Sequence, residues 1–265
     1  MLIKPWTDTQ TPRHFLEDEA DNETPNLIPH LSIEYAGTSA TTLIICPQTV
    51  KVITETIGGT KCGEIFIKYP EIPKIVSDSV EDEYDEDEQL YSAIMEKSLK
   101  DKFTEFTIPI LVHQNSLTVV VPHQTNAVAI NALSDKLVEF FSSKITNWIT
   151  LAPCQLNNNQ TLNKFSIGSE SELVNSIPTV QPPHFITGIG ASVTSTLALT
   201  EGVRLVSLIL NAEGQPGYEK IDPDSIIDAS HVVAELIGLE RDAFIKRVSL
   251  SVRKFNSYST SGMYI

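Results

Sequence analysis

The stretch from 106 to 153 changes its hydrophobic period twice, and few folds accommodate that. "FTIPILVH" (106–113) and "SLTVVVP" (116–122) are short β-branched runs on either side of Gln114-Asn115, the pattern of a strand pair. Over 123–145, Ile130, Leu133, Leu137, Phe140 and Phe141 then recur at spacings of three and four, which predicts an amphipathic helix with one apolar face. "WITLAP" (148–153) returns to strand. A strand, a long helix and another strand make a crossover unit, and such a unit needs a sheet that is at least partly parallel.

The flanking sequence supplies the rest of an α/β layout. "TTLIIC" (41–46) reads as a buried strand, and "VKVITETI" (50–57) alternates apolar and polar before Gly58-Gly59 turns the chain into "CGEIFIKY" (62–69). "NNNQTLNK" (157–164) reads as a loop and "RLVSLILNA" (204–212) as the last strong strand. In "QPPHFITGIGASVTSTLAL" (181–199), Gly188, Gly190, Ala191 and Ser192 open a helix with almost no side-chain bulk, which suits close packing on a sheet. Asp222 as N-cap, Pro223 at the first helical position and Gly238 just past the end bracket a further helix. A shorter helix around 241–249 follows, and 1–38, with Pro5, Pro12, Pro25 and Pro29, reads as an extended wrap. The expected fold is a single α/β domain over 1–255, with a mixed, mostly parallel central sheet flanked by helices and a flexible C-terminal tail over 256–265.

Charge narrows the partners. The 34 acidic and 19 basic residues leave a net charge of −15, which disfavours nucleic acid and anionic membrane surfaces. Seven of the eight residues in "EDEYDEDE" (81–88) are acidic, so a solvated, disordered loop is expected over about 77–101. The N-terminus has no apolar signal-type core, and no run approaches membrane-spanning length. Cys46, Cys62 and Cys154 are odd in number and widely spaced, so neither a disulfide framework nor a zinc site is expected. A reduced protein of the cytoplasm, with the nucleus as a second compartment, is the expectation.

Catalytic motifs are weak. "GIGASV" has Val193 where the dinucleotide fingerprint wants a third glycine or alanine, and no P-loop lysine follows. His14, His30, His113, His123, His184 and His231 never fall at i, i+4, so no helical metal pair forms. No nucleophile elbow marks a hydrolase serine. No catalytic, cofactor or metal residue is assigned, and an α/β nucleotide-binding enzyme or hydrolase remains the weaker alternative.

The chemistry that remains is the ending "NSYSTSGMYI". Met263, Tyr264 and Ile265 are apolar or aromatic, and they end a Ser-rich polar leash at the free carboxylate, where buried residues are least rewarded. Together with "MLIKPWTD" at the start, "VQPPHFITGIGASV" (180–193) and "AEGQPGYEKI" (212–221), this tail resembles the yeast-type proteasome assembly chaperone 1 family. The resemblance runs from one end of the chain to the other, with the acidic run and the Asn-rich loop matching only in pattern. It implies a chaperone without enzymatic activity, paired as a heterodimer with proteasome assembly chaperone 2 and bound to 20S proteasome α subunits or the α-ring. Met263 then matches the hydrophobic position, Tyr264 the tyrosine and Ile265 the final residue of the hydrophobic-Tyr-X (HbYX) docking motif. By occupying those pockets the family blocks premature activator binding. Burying Met263 and Tyr264 yields roughly 3–6 kcal/mol gross, against an association cost of about 4–15 kcal/mol. The tail therefore needs a second contact to bind well. A rival reading makes Met-Tyr-Ile a PDZ ligand of a signalling scaffold, captured by strand addition, with Tyr264 the discriminating residue.

Overall fold

The computed structural model describes residues 28–69, 105–124, 126–168 and 171–261, with backbone alone from 255 onward. Its centre is β2 (Thr42–Pro47), a strand buried on both faces. Parallel partners lie on either side, β5 (Ser116–Val121) and β6 (Asn147–Cys154). β8 (Arg204–Glu213) continues the parallel run beside β6. Among the described residues the sheet has nine strands in the order β1-β3-β4-β5-β2-β6-β8-β7, with the two-residue β9 (Lys220–Ile221) pairing β8. β1 (His30–Tyr35), β3 (Thr60–Lys68), β4 (Phe106–His113) and β7 (Leu162–Ile167) all pair antiparallel.

Because successive side chains of a strand face opposite ways, the central strands feed two cores at once. Leu43 and Ile45 join one core while Ile44 and Cys46 join the other, and Trp148 and Ile149 divide in the same way. The first core is closed by α2 (Ala127–Phe141) and α4 (Gly188–Ala198). The second is closed by α1 (Lys51–Ile57), α5 (Pro223–Ile237) and α6 (Arg241–Ser261), with the short α3 (Glu172–Ser176) contributing Val174. Helices thus cover both faces.

The fold class stands, with corrections in detail. The crossover from β5 through α2 to β6 is present, with α2 started by Asn126, whose Oδ1 accepts from the Val128 N–H at 3.0 Å. The parallel ladders, however, are confined to β5–β2–β6–β8, so the sheet is less parallel than expected, because β1, β3, β4 and β5 each pair antiparallel with the next. Residues 51–57, expected as a strand, form α1. Val50, Ile53 and Ile57 are buried at spacings of three and four, and a seven-residue segment satisfies either period until it meets its partner. The expected loop at 157–164 ends in β7, whose polar sequence becomes a strand by pairing the open edge of β8. The extended wrap includes the edge strand β1. The acidic loop over 77–101 lies outside the described residues.

Candidate functional site

The C-terminal helix decides how the end of the chain leaves the body. α5 stops at Gly238, which takes φ +71°, a left-handed conformation glycine adopts without Cβ strain. The Leu239 N–H donates to the Ala234 carbonyl at 2.8 Å and closes the turn. Glu240 then starts α6, its Oε2 accepting from the Ala243 N–H at 2.8 Å and its carbonyl from the Phe244 N–H at 3.1 Å. Phe244, Val248 and Val252 recur every four residues and are buried against the second core, where α6 lies on α5 and α1. Arg241 Nε donates to His231 Nδ1 at 2.8 Å, tying the first turn of α6 to α5. Burial, and then the Arg241 guanidinium, hold the His231 pKa below its ordinary value, against the opposing charges of Asp228 and Asp242.

Past Val252, Arg253 and Lys254 are exposed. The backbone nonetheless stays helical to Ser261, well beyond the 241–249 expected, so residues 256–261 continue a helix rather than form a leash. At about 1.5 Å per residue, the nine residues after Val252 carry the chain roughly 14 Å along the axis. Met263, Tyr264 and Ile265 lie outside the described residues.

The "QPPHFITG" stretch is structural at short range. Pro182-Pro183 is cis, and the His184 N–H donates to the Gln181 carbonyl at 3.1 Å. His184 Nε2 accepts from the Asn157 N–H at 3.0 Å, and Nδ1 lies 3.0 Å from the Gln181 carbonyl, so the ring pins two loops together. Cys154 Sγ donates to the Phe185 carbonyl at 3.1 Å. Gly190 answers for the "GIGASV" run. A Cβ there would lie 2.8 Å from the Ala152 Cβ, so only glycine lets α4 sit this close to β6. Gly190 thus serves helix–sheet packing, while a Cβ at Gly188 would meet nothing within 4 Å.

No group of three or more His, Cys, Asp or Glu among the described residues could hold a metal. No described helix is long and apolar enough to cross a membrane. Burial pushes the Cys46 thiol up to about 12, and it raises Cys62 and Cys154 as well, so none is set up as a thiolate nucleophile.

Sequence reading missed one feature, a cleft of about 230 Å³ at the C-terminal ends of β2, β5 and β6. It is walled by Pro47, Val121, Pro122, Ile130, Pro153 and Ile189 among others. These residues come from segments far apart in the chain, and no local pattern announces them. The exposed Tyr218, between the lining residues Gly217 and Glu219, has its ring 5.6 Å from that of His123, which also lines the cleft.

This is a three-layer α/β fold, and it is shared with proteasome-assembly chaperone homologues. The crystal structure of Pyrococcus furiosus PbaA, an archaeal homolog of proteasome-assembly chaperone, matches with a TM-score of 0.52 at 12% identity, over 84% of this chain and 92% of that one. A monoclinic form of the same protein matches at 0.51, over 88% and 99%. The family model described as POC1 chaperone matches residues 1–265, and the chain belongs to that family. Among its relatives is Proteasome chaperone 1 of Saccharomyces cerevisiae (strain ATCC 204508 / S288c), 24% identical over 255 residues, covering 86% of this chain and 87% of that protein.

Proposed function

We propose that this chain works in proteasome assembly as a non-enzymatic chaperone. In this reading it forms a heterodimer with proteasome assembly chaperone 2 and binds 20S proteasome α subunits in the α-ring. Met263, Tyr264 and Ile265 enter a pocket between neighbouring α subunits as an HbYX tail, promoting ring assembly and keeping activators out until assembly is complete. The complex works in the cytoplasm and in the nucleus.

The observation that supports this most is α6. Phe244, Val248 and Val252 anchor its first half in the second core, and its backbone continues as helix to Ser261, two residues before Met263. A helical stalk restricts where the motif can go more than a coil would, so less entropy is lost when it docks. The body supplies the second contact that a three-residue tail needs.

Deleting Met263–Ile265 removes both apolar anchors and moves the carboxylate. Tyr264→Ala leaves the carboxylate in place and removes the aromatic ring. Binding of the heterodimer to isolated core particles should weaken by more than roughly tenfold on deletion and by less for Tyr264→Ala, with circular dichroism unchanged. Undiminished binding by the truncated chain overturns the docking role.

A further inference from the structure

The cleft at the strand ends lies where ligands collect in open α/β sheets. β2 leaves it toward α1 on one face and the adjacent β5 toward α2 on the other, which makes it a topological switch point. Its volume of about 230 Å³ is far more than the roughly 10–15 Å³ one water needs, and below the ~300 Å³ at which pockets for drug-sized ligands begin. That space suits one large side chain. Two polar atoms among the lining residues are buried without a hydrogen-bond partner in the structure, Thr49 Oγ1 and Glu219 Oε2. A lone carboxylate oxygen in a wall of prolines and aliphatics calls for a donor carried on an apolar body.

We propose that the cleft is the seat of the Trp6 indole, delivered by the chain's own residues 1–27. Indole is a flat apolar body with a single N–H that seeks a partner when buried, so Glu219 Oε2 and the proline walls meet both of its needs. The entry point is also right. β1, β3, β4 and β5 each run antiparallel to the next, so β1 begins at the end of the sheet where β5 finishes. His30, its first residue, is therefore on the cleft's side of the molecule. In the sheet order β2 lies four strand spacings from β1, about 19 Å away. About 24 residues run from Trp6 to His30, and a chain of that length has a root-mean-square span on the order of 25–30 Å. A tether whose span matches the distance it must cross gives a high effective concentration, so a single side chain can hold the site. The proposal is independent of how the C-terminal motif is used.

The full-length chain labelled with 5-fluorotryptophan tests it. Only Trp6 and Trp148 report, and Trp6→Phe assigns the two fluorine resonances. The Trp6 resonance should lose its H2O/D2O isotope shift, as that of the core residue Trp148 does. Glu219→Ala, which opens the acceptor, and Ala127→Phe, which fills the cleft from the start of α2, should each restore the full solvent shift to Trp6 and leave the Trp148 resonance in place as the control for folding. A Trp6 resonance already solvent-exposed in the unaltered chain overturns the proposal. So does a buried Trp6 that neither variant moves, which seats the indole elsewhere. Trp6 exposed in the free chain, with the cleft closed only on adding a second protein, assigns the cleft to that protein and also overturns it.

Discussion

The two helical layers hold their ends to the sheet in opposite ways. α4 is pressed onto β6, with Gly190 against Ala152 and Val193 and Leu197 fully buried. Hydroxyls join it to α2, Ser192 to Asn131 at 2.8 Å and Thr196 to Asp135 at 3.1 Å. Among the described side chains of α6, Phe244, Val248 and Val252 are buried, one per turn, and the backbone continues as helix to Ser261. The first arrangement needs small residues and fixes the helix along its length. The second anchors its helix at single buried positions spaced a turn apart.

The largest effect should come from Phe244→Ala. Losing a fully buried aromatic costs about 3–5 kcal/mol, and here that ring is the principal anchor of α6. Urea denaturation should show the loss, and amide exchange should show the opening of α6 exceeding that of α4. Equal loosening of both helices breaks the contrast between them. Gly190→Val tests the opposite layer. Overpacking should cost about 1–3 kcal/mol, less the modest gain in helix propensity, and the exchange of α4 should rise while that of α6 stays put.

A smaller, pH-dependent effect should appear at the junction of α5 and α6. The His231 pKa is lowered in the folded state, so the unfolded chain takes up the proton first as pH falls through the ordinary value of about 6.5. His231 therefore costs no stability above that value and destabilises the fold progressively below it, until it protonates in the folded chain too. His231→Gln should flatten that part of the stability–pH curve and leave the neutral-pH value nearly unchanged. The smallest change should come from Leu199→Ser, just past α4, since the side chain is 89% exposed. Thermal stability should move by less than about 0.5 kcal/mol equivalent.

Much of the fold is legible in the sequence itself. The period switch between 106 and 153 carries the crossover, because a helix that buries one face and a strand that buries both write different spacings into the chain. Asp222, Pro223 and Gly238 mark α5 through backbone chemistry that acts locally. Gly190 points to a crowded helix start rather than a phosphate loop, and the 2.8 Å approach to Ala152 bears that out, whereas Gly188 faces open space at a φ of +63°.

What escaped local reading is of one kind. Residues 51–57 alternate well enough to pass for a strand, yet Ile53 and Ile57 need the second core to make the helical face the rewarded one. β7 exists because β8 offers an unpaired edge, and the length of α6 emerges only once Phe244 has a place to sit. The cleft is the extreme case, since Pro47, Val121, Pro153, Ile189 and Glu219 lie on separate segments. Local order is written in spacing, because neighbouring residues share a surface whatever the rest of the chain does. Edges, long helices and cavities depend on which distant surfaces meet, so only the folded chain decides them.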